Sequence, residues 1–453
     1  MTSTPQAPPA RAAAILVWLV WAAALGGILL AIARDGRNIP FEEDWLMVGA
    51  MTGHQPDLPG WLWSQNSEHR LPLPRLVNLA LLRSFGDFRA TMVFDVLALA
   101  AVCAGMILLA RALRGGRASV ADAFFPLLLL HLGNWDNLVW AWQIQFVLPT
   151  VLACTVLLVI TARPGVPSRA AVVAGALALV CLPLSGANGL VLAPPLAFWF
   201  GYLAWVASSR AGEPLGPGSG TAGASALIAV LLCGVYFIGY QSSPWNAPSL
   251  GPGATLATSG KFLAFSVGPI AEKSWLLFGA VVVAILLACF AALARALKTR
   301  PEERLRALGL LAFLGAAVLL ALAVGWGRAG RTAETGRMPS RYVLLAAPGM
   351  CAAYFTLLLY GRGWVRRAGP PLLATMMAVL FPLNTWLGLK RRDWFGAGFA
   401  AFERDLAAGA PAAELARDHH AFMLHWDEAL MDTSLRQLHR AGIGPFARWQ
   451  PDR

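Results

Sequence analysis

Long apolar runs alternate with short polar breaks along most of this chain. They fall at roughly 12–33, 90–110, 119–133, 142–162, 169–184, 188–207, 222–241, 275–297, 307–326, 342–360 and 370–388. Runs of this length match the hydrocarbon thickness of a bilayer, and the pattern predicts eleven membrane-spanning helices. Backbone polar groups inside hydrocarbon must be satisfied within the chain. With runs this long, that means an all-α polytopic bundle rather than a barrel. Two polar stretches are longer than a loop needs to be: 34–89 after the first run and 389–453 after the last. The chain therefore divides into a transmembrane domain, 1–388, and a small C-terminal helical segment, 389–453.

Within 34–89, Leu71, Leu73, Leu76, Val77, Ala80 and Leu81 recur at helical spacing between Pro72/Pro74 and Gly86. That spacing predicts a helix lying on the membrane rather than crossing it. Residues 261–274 read as a second interfacial or re-entrant helix. The Gly/Pro/Ser-rich stretches 211–223 and 244–260 read as loops. In the tail, Leu415, Phe422, Met423, Trp426, Leu430 and Leu438 suggest one amphipathic helix. The first run ends Ala31-Ile32-Ala33, which resembles a signal-peptidase site, but the run is long and its basic flank weak, so an uncleaved anchor is expected.

Composition agrees with a membrane protein: 57% of residues are hydrophobic and 13% charged, against about a quarter charged in soluble domains. The formal charge of +12 is not a sign of nucleic-acid binding, because many arginines cluster in short loops between the runs. Arg111/Arg114/Arg117, Arg163/Arg169, Arg210, Arg295–Arg306 and Arg362/Arg366/Arg367 fall on one side. The turns at 134–141 and 183–189, on the other side, hold no Lys or Arg. The positive-inside rule then puts the N-terminus in the cytoplasm of a bacterial-type inner membrane. It puts 34–89, 327–341 and the tail on the periplasmic side. Lys390-Arg391-Arg392 runs against that rule. The six cysteines lie singly in apolar runs and read as small buried hydrophobes. There is no Walker sequence and no HExxH.

The polar segments that remain carry the candidate chemistry. Glu42-Glu43-Asp44-Trp45 follows the first run. A carboxylate there suits a general base at the membrane surface, Asp44 first and Glu43 second, or a holder of a divalent cation (Mg or Mn) beside a phosphate. The three acids also suit the first turn of a helix. Trp45 offers either sugar-stacking surface or an interfacial anchor. Glu68-His69-Arg70 lies beside Trp61, Trp63, Gln65 and Asn66, a combination that suits a wall facing carbohydrate, or a solvated turn with a local ion pair. Asn134-Trp135-Asp136-Asn137 leads into Trp140, Gln143 and Gln145. Polar residues entering a span are costly and mark function, unless they only cap a helix. Arg328, Arg331, Arg337 and Arg341, the last before Tyr342, gather where the positive-inside rule disfavours them. Arginine grips phosphate oxygens in a fork, so a lipid-linked phosphate or pyrophosphate, or anionic headgroups, would account for them.

In these features the chain resembles the GT-C superfamily of membrane glycosyltransferases. The likeness lies in many spans, a large first outer loop with an acid just after the first span, a second outer-loop acid and later basic residues. The resemblance implies a polyprenyl-phosphate sugar donor and a glycan, lipid or protein acceptor. The first-loop acid would map to Asp44 or Glu43, the second to Asp136 and the phosphate ligand to one of the four arginines, preferentially Arg341. It implies inversion at the anomeric carbon and no nucleotide site. The sequence departs from the family in lacking an Asp-x-Asp pair in the first loop and in having a small C-terminal segment. Two other readings share the arginines and tryptophans without needing a base: a carrier or flippase for a lipid-linked saccharide, and a noncatalytic subunit of an envelope-assembly complex. Carriers tend to show internal repeats and broken midplane helices, and neither is clear here.

Overall fold

A computed structural model describes residues 8–211, 217–243 and 250–450. The chain is almost wholly helical. In order it forms α1 (Pro8–Asp35), α2 (Trp45–Met51), α3 (Leu58–Trp63), α4 (Pro72–Phe85), α5 (Arg89–Leu113), α6 (Phe124–Leu129), α7 (Trp135–Leu138), α8 (Ile144–Thr161), α9 (Arg169–Cys181), α10 (Ala187–Ala211), α11 (Pro217–Tyr236), α12 (Pro252–Phe265), α13 (Trp275–Thr299), α14 (Arg304–Thr335), α15 (Tyr342–Tyr360), α16 (Trp364–Ala407), α17 (Ala412–Met423) and α18 (Glu428–Arg440). A two-stranded hairpin pairs β1 (Gln65–Asn66) with β2 (His69–Arg70) in antiparallel register.

Among the described residues nine helices are long and apolar enough to cross a membrane: α1, α5, α8, α10, α11, α13, α14, α15 and α16. The protein is thus a polytopic all-α membrane protein. Burial ranks these helices. In α15, 89% of the apolar stretch is inside the protein, and in α8 78%, whereas α1 and α11 bury only 22% each. The centre is therefore α8 and α15, and the outer helices turn Leu, Ile and Val outward, as a lipid-facing surface requires. Small residues let the centre pack closely: Ala346, Ala347, Gly349, Ala352 and Ala353 of α15 are all buried.

Several expected elements differ. The apolar run at 119–133 is no continuous span. It is a 3-10 turn, the six-residue α6, a second 3-10 turn at Leu132–Asn134 and the four-residue α7. The helix stops at Leu129 and the chain turns through His131 into the 3-10 turn, and α16 packs along the whole segment. The 169–184 run yields α9, only thirteen residues long. The Gly/Ser-rich 217–223 is helical, not a loop, as is the 252–260 part of the second such stretch; residues 212–216 and 244–249 lie outside the described set. Hydrocarbon offers the backbone no water to bond, so glycine and serine are tolerated in membrane helices. The helix expected at 261–274 begins earlier, as α12, and only a 3-10 turn follows at Pro269–Ser274. The tail holds two helices rather than one, and α16 runs unbroken across 388–389 for 44 residues. By contrast, α4 starts at Pro72 and stops at Gly86, whose φ of 63° supplies the left-handed cap.

Contacts sort the loops into two ends. At one, Arg306 donates to Glu303 and to the Thr161 carbonyl, and the Tyr360 hydroxyl donates to Glu303. At the other meet the first loop, the 133–143 turn, the 183–187 turn, the 328–342 segment and the tail.

Buried Asn384 of α16 ties the turn after α12 into this second end. Its amide donates to the Val267 carbonyl (2.9 Å), and its oxygen accepts from the Ile270 amide (3.1 Å). Gly268, at φ 108°, makes the approach possible. Replacing Asn384 with Leu strands two backbone groups, each worth about 1–3 kcal/mol when buried unpaired. Chemical denaturation in detergent is expected to show a loss of about 2–5 kcal/mol, and an unchanged midpoint would remove Asn384 from the fold's support.

Candidate functional site

The first loop is anchored by Phe41, whose ring packs against Trp140, Phe395, Phe399 and Phe422 at centroid distances of 4.8–5.7 Å. The chain then turns sharply. Glu42 takes φ 50°, and Glu42–Asp44 form one 3-10 turn leading into α2. The turn points its three acids in different directions. Asp44 faces inward, 1% exposed, and its Oδ2 accepts from the Phe41 amide (3.3 Å). It lines a small void of about 30 Å³ with Trp135, Trp140 and Arg392. Burial pushes its carboxyl well above the usual range. Glu42 pairs with His425 of the tail (3.0 Å). Glu43 is half-buried. Burial raises its pKa, and the charge of Arg341 pulls the other way.

A cavity of about 570 Å³ opens at the same end. Its walls carry Asp136 from α7, Arg328 and Arg331 from α14, Arg337 from the following loop, Arg341 and Tyr342 at the start of α15, and Lys390 and Arg391 from α16. Three buttresses fix it. Asp136 accepts from the Arg391 guanidinium (2.9 Å) and the Ser340 hydroxyl (2.5 Å). Arg328 donates to the Tyr342 hydroxyl (2.7 Å) and pairs with Glu68 (2.6 Å). Asn137 donates to the Arg341 carbonyl (3.0 Å). Arg341 also acts electrostatically on Glu42, Glu43 and His69. His69 accepts the Ala187 amide at Nδ1 (3.3 Å). Burial, more than any neighbour, lowers its pKa to about 4, so the ring is neutral at neutral pH.

Of the expected residues, Asp136, Arg328, Arg337, Arg341 and Tyr342 therefore share one cavity. Glu68 joins through Arg328, Asn137 through Arg341, and Glu43 and His69 lie within the field of Arg341. Others stand apart. Asp44 lines the separate void, with Trp135 common to both spaces. Trp45 offers no surface for a sugar. It is fully buried and its indole donates to the Met423 carbonyl (3.1 Å). Arg70 spends its guanidinium on the carbonyls of Trp63, Tyr236 and Ile238 at 2.8–3.0 Å, above the Trp63 ring. That staple holds the hairpin to the end of α11, and it occupies Trp63 as well. Gln143 is buried in a 3-10 turn away from the cavity lining.

Ser340, Glu272 and Trp394 are among the cavity residues that the sequence did not single out as ligands, whereas Arg391 belongs to the cationic triplet that it offered for a phosphate or a headgroup. The Arg391 signal was its place in a cationic triplet on the side where cations are disfavoured; Ser340 and Glu272 gave none. Among the described residues no three of His, Cys, Asp and Glu converge. Asp136 and Glu68 are each neutralised by an arginine.

No family model matches the chain, and no curated protein matches it in sequence.

Proposed function

We propose that the protein is a membrane glycosyltransferase that moves a sugar from a polyprenyl-phosphate-type donor to a glycan, lipid or protein acceptor on the periplasmic side of an inner membrane. In this reading the chain crosses eleven times, with the broken 119–138 segment and α9 completing the count. The N-terminus is cytoplasmic, and α4 and α12 lie at the interface, in the manner of the GT-C architecture that the sequence resembles. The observation that carries the reading is the cavity itself. Arg328, Arg331, Arg337 and Arg341 meet Asp136 there.

The geometry favours Glu43 over Asp44 as the base. Asp44 is walled off in a separate small void, its Oδ2 held by the Phe41 amide. Glu43 sits in the field of Arg341, the residue that borders both the first loop and the donor cavity. In the transfer, Glu43 takes the proton of the acceptor hydroxyl while the acceptor oxygen forms its bond to C1. The C1–O bond to phosphate breaks, and its electron pair leaves with the lipid phosphate, whose new charge the arginines stabilise. Attack opposite the leaving group inverts C1. Asp136 holds Arg391 and Ser340 in place, and Glu68 holds Arg328.

The test is transfer by the purified protein in nanodiscs, from polyprenyl-linked sugars to a panel of acceptors, with new glycosidic product read by mass spectrometry. Product that is lost in Arg341→Gln supports the reading. Movement of the lipid-linked sugar across the bilayer without a new glycosidic bond would replace it with a carrier.

A further inference from the structure

The charge of the cavity specifies more than a single phosphate. Of the six cations on its walls, Arg391 is matched by Asp136 and Arg328 by Glu68. Among the described residues Arg331, Arg337, Arg341 and Lys390 have no acid at ion-pair distance. The remaining acid on the wall, Glu272, accepts from the Met338 amide (3.1 Å). Set against those four cations it leaves three positive charges uncompensated. The cations also come from different elements. Arg328 and Arg331 are one helical turn apart on α14 and share a face. Lys390 projects from α16, stacked on Trp386 at 3.8 Å, next to Arg391 stacked on Trp394 at 4.2 Å.

We infer that this cavity is built for a diphosphate, and that the donor is a polyprenyl-diphosphate sugar. This rests on the transferase reading above. A sugar joined through one phosphate brings one negative charge and leaves two on its departing lipid. A sugar joined through a diphosphate brings two and leaves three, which equals the uncompensated charge of the walls at the moment when stabilisation accelerates the reaction. The covalent step is unchanged in balance. The acceptor oxygen bonds C1, the C1–O bond to the proximal phosphate breaks, its electron pair stays on that phosphate oxygen, and the acceptor proton goes to Glu43. The distal phosphate makes no bond change and serves as a second handle for the α16 side.

The experiment uses the full chain in phosphatidylcholine nanodiscs loaded with either polyprenyl phosphate or polyprenyl diphosphate. Retained lipid is read by mass spectrometry and challenged with inorganic phosphate, inorganic pyrophosphate or phosphatidylglycerol. The diphosphate lipid is expected to bind at least about tenfold more tightly than the monophosphate, as one further charge-assisted contact implies. Pyrophosphate is expected to compete better than phosphate. Arg331→Gln/Arg337→Gln, at two exposed positions, is expected to narrow the gap to less than about threefold, with Lys390→Gln as an independent second variant. Equal binding of the two lipids would overturn the diphosphate assignment and leave the transferase reading standing. Equal competition by phosphatidylglycerol would reduce the site to a headgroup surface. Transfer that proceeds from monophosphate donors alone would likewise exclude the diphosphate. Absence of glycosidic product from either donor, with diphosphate binding intact, would instead remove the transferase reading.

Discussion

Glu43→Gln is expected to lower kcat/KM by about 10²–10⁴, the range that a positioned base supplies, with little change in KM. The wild-type rate should fall on the acid side as Glu43 takes up its proton. Because burial holds its pKa above the ordinary glutamate value, the acid limb should lie at higher pH than for a free carboxylate. Arg341 works against burial. Arg341→Gln should therefore move the limb to still higher pH, besides weakening donor binding. A variant in which activity falls but the limb stays put would mean that Arg341 serves the phosphate alone. Stability supplies a second readout with a definite sign. Raised above its unfolded value, the Glu43 pKa makes the folded state the better proton binder, so Glu43 favours folding at low pH and loses that contribution as pH rises through its folded pKa. At neutral pH Glu43→Gln should then be no less stable than wild type, and loss of activity with retained or improved stability separates a base from a support.

Gly388→Ala is expected to be the most damaging single-atom change near the cavity. A Cβ at Gly388 would lie 1.9 Å from the Leu132 carbonyl oxygen and 3.0 Å from the Gly133 amide nitrogen, both backbone atoms of a turn that cannot swing aside like a side chain. Overpacking of this kind costs about 1–3 kcal/mol and sometimes more. The greater effect should be on activity. Arg391 lies one turn further along α16 and holds Asp136 at 2.9 Å, so pushing the helix off the 132–134 turn pulls this pair in the cavity wall apart. A displacement of about 1 Å at a reacting centre can cost about a hundredfold. Unfolding in detergent and transfer assayed on the same preparation would measure both. Wild-type activity in Gly388→Ala would mean that the turn and α16 are free to separate, and that the Asp136–Arg391 pair does not position the donor.

The sequence made some features legible for local reasons. Pro72 and Gly86 bracket α4 because proline needs no amide partner in a first turn and glycine accepts the left-handed cap. Other features depend on partners far away in sequence. Trp45 looks like a surface aromatic until the Met423 carbonyl, 378 residues on, takes its indole proton. Arg70 looks like a ligand until three carbonyls claim it. The choice between Glu43 and Asp44 turns on the direction of a single 3-10 turn, which Glu42 sets by its left-handed backbone, and no periodicity encodes that. The 119–133 run misled because apolarity alone cannot distinguish a span from a short buried helix flanked by turns.

That broken run has a consequence for how the protein is made. A segment with a six-residue helix and buried His131, Asn134 and Asp136 at its far end has little of the continuous apolar length by which a nascent helix partitions into lipid unaided. Its main lateral neighbour is α16, which emerges from the ribosome more than two hundred residues later. The early helices must therefore hold this segment in an unfinished state, and one wall of the cavity closes only when nearly the whole chain has been synthesised. Truncated products ending before Trp364 should accordingly be quality-control substrates rather than weakly active proteins.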